Sequence, residues 1–246
     1  MTPVEASDTP PRQAAPVLLA RGCMASEDVR IAFDGSELGA TLEAPRGARG
    51  LVLFAHGSGS SRFSPRNRFV ARELVSAGLA TLLLDLLTEE EEARDAISGQ
   101  WRFDIELLTE RLVLATDWAK ERADLAELGV GYFGASTGAA AALVAATERP
   151  SRIQAVSRGG RPDLAGDRLA HVRAPTLLVV GGDDRDVLRL NCAALAALRC
   201  EKRLEIVPGA THLFEEPGAL EAVARLARDW FTSRLRRASN LHAPLA

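Results

Sequence analysis

The sequence predicts one α/β domain, built on a mixed, mostly parallel central sheet of about eight strands with helices on both faces. Three observations carry this expectation. A continuously apolar run at residues 51–55 and a mostly apolar one at 79–84 read as strands covered on both faces. Apolar residues at helical spacing alternate with such runs along most of the chain. Two alternating segments around Asp34-Gly35 form a hairpin signature before the first buried run. The chain has 246 residues, 47% of them hydrophobic and 26% charged, enough for one large core.

The elements follow in order. Residues 1–25 are rich in Pro, Ala and Ser without periodicity and predict a flexible N-terminal tail. Residues 29–33 alternate, Asp34-Gly35 turns, and residues 38–42 return as the hairpin partner. After strand 51–55, Phe69, Val70, Leu74 and Ala77 mark a helix that Gly78 stops, and 79–84 is the next strand. The acidic run 89–92 predicts a solvated surface loop, with Trp101 and Phe103 beyond it as an overhang near the substrate. A helix over 104–122 leads into strand 128–133, and an alanine-rich helical run at 139–146 ends near Pro150. Strands at 153–156, 176–180 and 204–207 enclose a helix at 187–198, and Leu220, Val223, Leu226, Ala227 and Trp230 face the core from a last helix. The link from 156 to 176 is too short for a cap domain, so none is expected. The domain should span 26–238, with a C-terminal tail at 239–246.

A net charge of -3 gives no reason to expect nucleic acid or an anionic membrane as partner. No apolar run reaches the roughly 18 residues a membrane span needs. Cys23, Cys192 and Cys200 are odd in number and match no metal spacing, so neither a disulfide framework nor a metal site is expected. Arg21 directly interrupts the short apolar stretch before Cys23, which argues against a signal peptide and leaves the cytoplasm as the expected compartment. There is no Gly-Lys-Ser/Thr and no G-x-G-x-x-G, so a phosphate-cradling loop and a nucleotide cofactor are not expected.

The chemistry centres on Gly134-Ala135-Ser136-Thr137-Gly138, a G-x-S-x-G between a predicted strand and a predicted helix. This pattern holds a serine on a sharp strand-to-helix turn, where neighbours two residues away must be small. The serine needs a base and an acid to orient that base, following in the order Ser, Asp or Glu, His. Among the four histidines, His56 precedes Ser136, His171 precedes the strand that should supply the acid, and His242 lies in the tail. His212, just after the last predicted strand, remains as general base. Asp183, Asp184 and Asp186 compete for the acid; Asp184 is favoured because two glycines and one residue precede it, leaving the others to cap the helix or face solvent. For the oxyanion hole, Thr137 N–H follows the nucleophile and Ser58 N–H lies in the small-residue turn His56-Gly57-Ser58-Gly59.

These segments resemble the α/β-hydrolase superfamily, specifically its dienelactone-hydrolase-like branch, over roughly residues 28–236. The resemblance rests on His56-Gly57-Ser58-Gly59-Ser60-Ser61, Gly134-Ala135-Ser136-Thr137-Gly138, Gly181-Gly182-Asp183-Asp184 and Gly209-Ala210-Thr211-His212-Leu213. Ser157-Arg158-Gly159-Gly160-Arg161-Pro162-Asp163 and Glu215-Glu216-Pro217-Gly218 are similar to a bacterial subgroup, some of whose members are fused to a phosphoribosyltransferase domain. It implies a Ser136–His212–Asp184 triad in a capless, cofactor-independent hydrolase acting on a small-molecule ester or related acyl bond. Dienelactone hydrolase itself uses a cysteine nucleophile, so activity on dienelactone is not implied for a chain carrying Ser136. The same triad would serve a peptidase, thioesterase or acyltransferase, and a non-catalytic binding module is the reading from another class. Trp101, Arg62, Arg158 and Arg161 are candidates for the substrate rim; the arginines would either hold an anionic substrate or pair with nearby carboxylates. The oligomeric state stays open, a homo-oligomer included.

Overall fold

A computed structural model of the protein describes residues 26–149 and 153–235. The expected tails at 1–25 and 239–246, with Cys23 and His242, lie outside these residues. β1 (Ser26–Phe33) and β2 (Ser36–Glu43) form the opening hairpin. Asp34 at φ 42° and Gly35 at φ 76° make its tight two-residue turn. β3 (Gly50–Ala55), β4 (Ala80–Leu84), β5 (Gly129–Ala135), β6 (Ile153–Arg158), β7 (Thr176–Gly181) and β8 (Lys202–Val207) complete an eight-stranded sheet in the order β1-β2-β4-β3-β5-β6-β7-β8. β2 pairs antiparallel with β4, and the strands from β4 to β8 are parallel neighbours.

Helices α1 (Pro65–Ser76) and α6 (Ala219–Arg234) cover one face, where Val70, Leu74, Val223, Ala227 and Phe231 bury against Val52, Phe54 and Phe133. α3 (Ile105–Glu121) and α4 (Thr137–Glu148) cover the other, packing Leu108, Leu112 and Ala140 against Leu53 and Tyr132. Neighbouring strand residues thus enter opposite cores, which is why the central strands read as unbroken apolar runs. Tyr132 takes its polar end into the core by sharing a 2.8 Å hydrogen bond with Thr116, and burial pushes its pKa up to about 12. α5 (Arg185–Ala197) follows β7. The long helix predicted at 104–122 is realised with Asp104 as N-cap and Arg122 as C-cap.

Two expectations need correction. The acidic run is not a loop: Glu89 opens α2 (Glu89–Ser98), with Thr88 and Glu91 closing a capping box. Four glutamates in its first turn sit at the positive end of the helix dipole, so their charge stabilises the helix rather than disordering it. The strand predicted at 153–156 continues to Arg158, which places Arg158 inside the sheet and not on a rim loop. Between β6 and β7 the chain makes only a 3-10 segment, Pro162–His171, kinked at Gly166, so no cap domain is inserted there. No helix among the described residues is long and apolar enough to cross a membrane.

The chain leaves β3 for β4 on one side of it and later returns to β5 on the other. The loops after β3 and β5 therefore diverge at the carboxyl edge, and such a switch point leaves a crevice for a ligand.

Candidate active site

Ser136 stands between the last residue of β5 and the first of α4, at φ 50° and ψ -120°. A non-glycine residue in this region stores roughly 1–3 kcal/mol of strain, held here by the packed strand and helix on either side. Gly134 and Gly138 permit the turn by close approach. A Cβ on Gly134 would lie 2.4 Å from Ala139 Cα, and one on Gly138 would lie 2.3 Å from the Ala55 carbonyl oxygen. The turn after β6 clamps the serine backbone from both ends: Ser136 N–H donates to Arg158 O at 3.2 Å, and Arg161 N–H donates to Ser136 O at 3.0 Å.

The acid and base come from neighbouring strand ends. His212 Nδ1 and Asp184 Oδ2 are 2.6 Å apart, and Asp184 is the better buried of the two, with 13% of its side chain exposed against 40% for His212. Two backbone bonds stitch their loops together: Gly182 N–H to Val207 O at 2.8 Å and Asp183 N–H to Ala210 O at 3.0 Å. Asp184 also occupies the N-cap position of α5, yet its carboxylate makes no cap bond because it is turned to His212. Of the two roles expected for Asp183 and Asp186, capping the helix or facing solvent, the structure has both exposed to solvent, and Asp186 pairs with Arg189. His212 and Ser136 flank the same turn, since a Cβ on Gly159 would lie 3.7 Å from His212 Cε1 while Arg158, one residue earlier, accepts from Ser136.

The loop after β3 lies against the nucleophile: a Cβ on Gly57 would be 3.0 Å from Ser136 Cβ. His56 anchors that loop. Its Nδ1 is 2.9 Å from Gly57 O, and its Nε2 accepts Leu86 N–H at 3.1 Å, which fixes a neutral ring protonated at Nδ1. Burial, outweighing the bond to Gly57, holds its pKa below the usual histidine range. Ser58 N–H donates to Thr137 Oγ1 at 2.9 Å, tying the two expected oxyanion residues to one another. Thr137 N–H, the first of α4, has no acceptor within its own helix.

No protein-family model matches the chain. A crystal structure of dienelactone hydrolase from Anabaena variabilis superposes with TM-score 0.85 at 59% identity, covering 87% of this chain and 99% of that one. The chain belongs to the dienelactone hydrolase family. A Mycobacterium tuberculosis protein, provisionally named a phosphoribosyl transferase, is 57% identical over 210 residues, which are 85% of this chain and 46% of that protein. The chain thus spans about half the length of the curated relatives it matches. Est1E from Butyrivibrio proteoclasticus, at 17% identity and TM-score 0.70, shares the fold.

Within this dienelactone hydrolase family member, the remaining candidates separate. Arg62 forms an ion pair with Asp85, whose other oxygen accepts Arg62 N–H at 2.7 Å, so it braces the β3 loop. Arg161 makes a two-pronged pair with Asp163 at 2.9 and 2.7 Å. Trp101 packs half-buried on the core, and its backbone N–H donates to buried Asp95 at 2.6 Å. Arg158 is only 7% exposed and is bonded to no acceptor among the described residues. A cleft of about 500 Å³ opens beside the β3 loop, between Ser60, Ser61, Asp85, Leu87 and the first turn of α2. It adjoins a recess of about 10 Å³ that reaches Ser58 and Thr137 between Leu86, Leu87 and Leu108. The contribution of α2 to this cleft escaped the sequence reading, although Thr88 and Glu91 stand at capping-box spacing.

Proposed function

We propose that the protein is a serine hydrolase that cleaves a small ester or related acyl bond through an acyl-enzyme. The observation that carries this reading is the 2.6 Å pair of His212 and Asp184 at the turn that also clamps the strained Ser136. Ser136 Oγ attacks the carbonyl carbon while His212 Nε2 takes its proton, and Asp184 holds Nδ1–H and the charge that forms on the ring. Thr137 N–H and Ser58 N–H receive the oxyanion. Ser58 then exchanges a neutral hydroxyl for a charged acceptor, which makes the stronger hydrogen bond. His212 returns its proton to the leaving alcohol, and then activates the water that frees the acid and regenerates Ser136.

The recess beside Ser58 and Thr137 has room for about one water molecule. The test is hydrolysis of p-nitrophenyl acetate by the wild type and by Ser136→Ala, with thioester and amide analogues measured alongside. Loss of turnover in a folded variant is expected; turnover that survives the substitution would sink the assignment.

A further inference from the structure

Arg158 differs from every other arginine near the site. It ends β6, and its carbonyl accepts Ser136 N–H, yet its side chain is 7% exposed and its Nε is buried without a partner. No carboxylate pairs with it among the described residues; the face of Phe214, with its centroid 5.9 Å away, is its one favourable neighbour, and that leaves the N–H fork unmatched. Burial first, and the nearby charge of Arg66 second, push its pKa down to about 10, so it stays charged at neutral pH. Arg66 also has a buried, unpartnered Nε, and its single pairing is to Glu215 at 3.2 Å, with 65% of that carboxylate side chain in solvent. A buried guanidinium facing a like charge is expensive to keep, unless an anion arrives to satisfy it.

We propose that Arg158 and Arg66 form an anion subsite beside the triad, and that the acyl substrate carries a phosphate group which bridges the two guanidiniums. A phosphate fits on charge and on the number of acceptors it offers. At neutral pH it carries about -1.5 to -2 charges and offers three acceptor oxygens, enough for both forks. A carboxylate carries one charge and two acceptor oxygens, so it offsets only one of the two guanidinium charges and offers the two forks fewer partners. Arg66 can release Glu215 cheaply, because an exposed ion pair contributes little. The subsite lies between the β6 end that holds Ser136 and the loop that bears His212, since Phe214 and Glu215 follow His212 directly. The substrate assignment rests on the hydrolase reading above; the anion subsite itself does not need turnover.

The experiment is calorimetric titration of the whole chain with inorganic phosphate and, separately, acetate at matched ionic strength. It is repeated on Ser136→Ala, Arg158→Met and Arg66→Gln. Phosphate should bind the wild type and Ser136→Ala alike. Losing a charge-assisted contact should weaken phosphate roughly tenfold to a hundredfold in Arg158→Met. If Arg158→Met does not fold, Arg66→Gln, at a half-buried position in the first turn of α1, carries the test, with a loss of about tenfold expected. Absence of phosphate binding, or affinity unchanged in the variants, would overturn the subsite. Acetate binding as tightly as phosphate would overturn the choice of a phosphate group. An inactive Ser136→Ala that still binds phosphate keeps this inference distinct from the fate of the hydrolase reading.

Discussion

Gly134→Ala tests the elbow with one methyl group. Its Cβ would sit 2.4 Å from Ala139 Cα, 2.6 Å from Gly138 O and 2.8 Å from Ala139 N, all of them backbone atoms. Ordinary van der Waals contact begins at 3.4 Å, so the start of α4 must retreat from β5 by close to an ångström. No side chain can turn aside to absorb this. The same retreat drags Ser136 and Thr137 N–H off their places over the crevice. A displacement of about 1 Å at reacting groups costs about 100-fold in rate, and overpacking costs about 1–3 kcal/mol of stability. The assay is kcat/KM for p-nitrophenyl acetate together with urea unfolding, so that loss of rate is measured on folded protein. A variant with wild-type stability and wild-type kcat/KM would refute the tight turn described for Gly134.

Asp184→Asn should lower kcat by about 10³–10⁴-fold, because an amide that donates to Nδ1 holds the imidazole in the wrong tautomer. Asp186→Asn, on the solvent side of the same turn, should leave kcat within twofold, as steady-state kinetics on both will show. His56 has a folded pKa below its unfolded 6.5, so its stabilisation is complete above that pH and is lost as pH falls through the folded value. Urea unfolding between pH 7.5 and about 5 should show this decline in the wild type and not in His56→Gln. Asp95 is the reverse case in chemistry but not in sign. Burial alone would raise its pKa, but N–H groups of Trp101 and Arg102 and the Arg102 guanidinium outweigh burial and hold it below 3.8. Its stabilisation is therefore lost only in acid below 3.8, and Asp95→Asn should remove that slope when the urea titration is carried down from about pH 4.5 to about pH 2.

Periodicity and strand runs made the sheet legible because central strands buried on both faces cannot hide their composition. Asp104 and Arg122 marked the ends of α3 because capping is a local affair of a few residues. α2 was missed for the opposite reason: Glu89, Glu90, Glu91 and Glu92 look like a solvated run, and their stabilisation comes from the helix dipole and from Thr88. In the site, chain order singled out His212, and the two glycines before Asp184 favoured it among three aspartates; the structure pairs His212 and Asp184 at 2.6 Å. The arginines were legible only as alternatives: pairing with a nearby carboxylate was one of the two readings, and Arg161 makes such a pair with Asp163. Whether Arg62 meets Asp85, or Arg158 meets no carboxylate, depends on residues from different strands converging at one edge, which no local pattern records. The bond from Ser58 N–H to Thr137 Oγ1 joins loops 79 residues apart and was equally invisible.

The most direct test of the central claim is intact-mass and peptide mapping after treatment with a fluorophosphonate, which phosphonylates an activated serine with loss of fluoride. One adduct per chain on the peptide containing Ser136, absent from Ser136→Ala and strongly slowed in Asp184→Asn, is the predicted result. An unmodified chain, or an adduct that maps elsewhere and persists in Ser136→Ala, would contradict it.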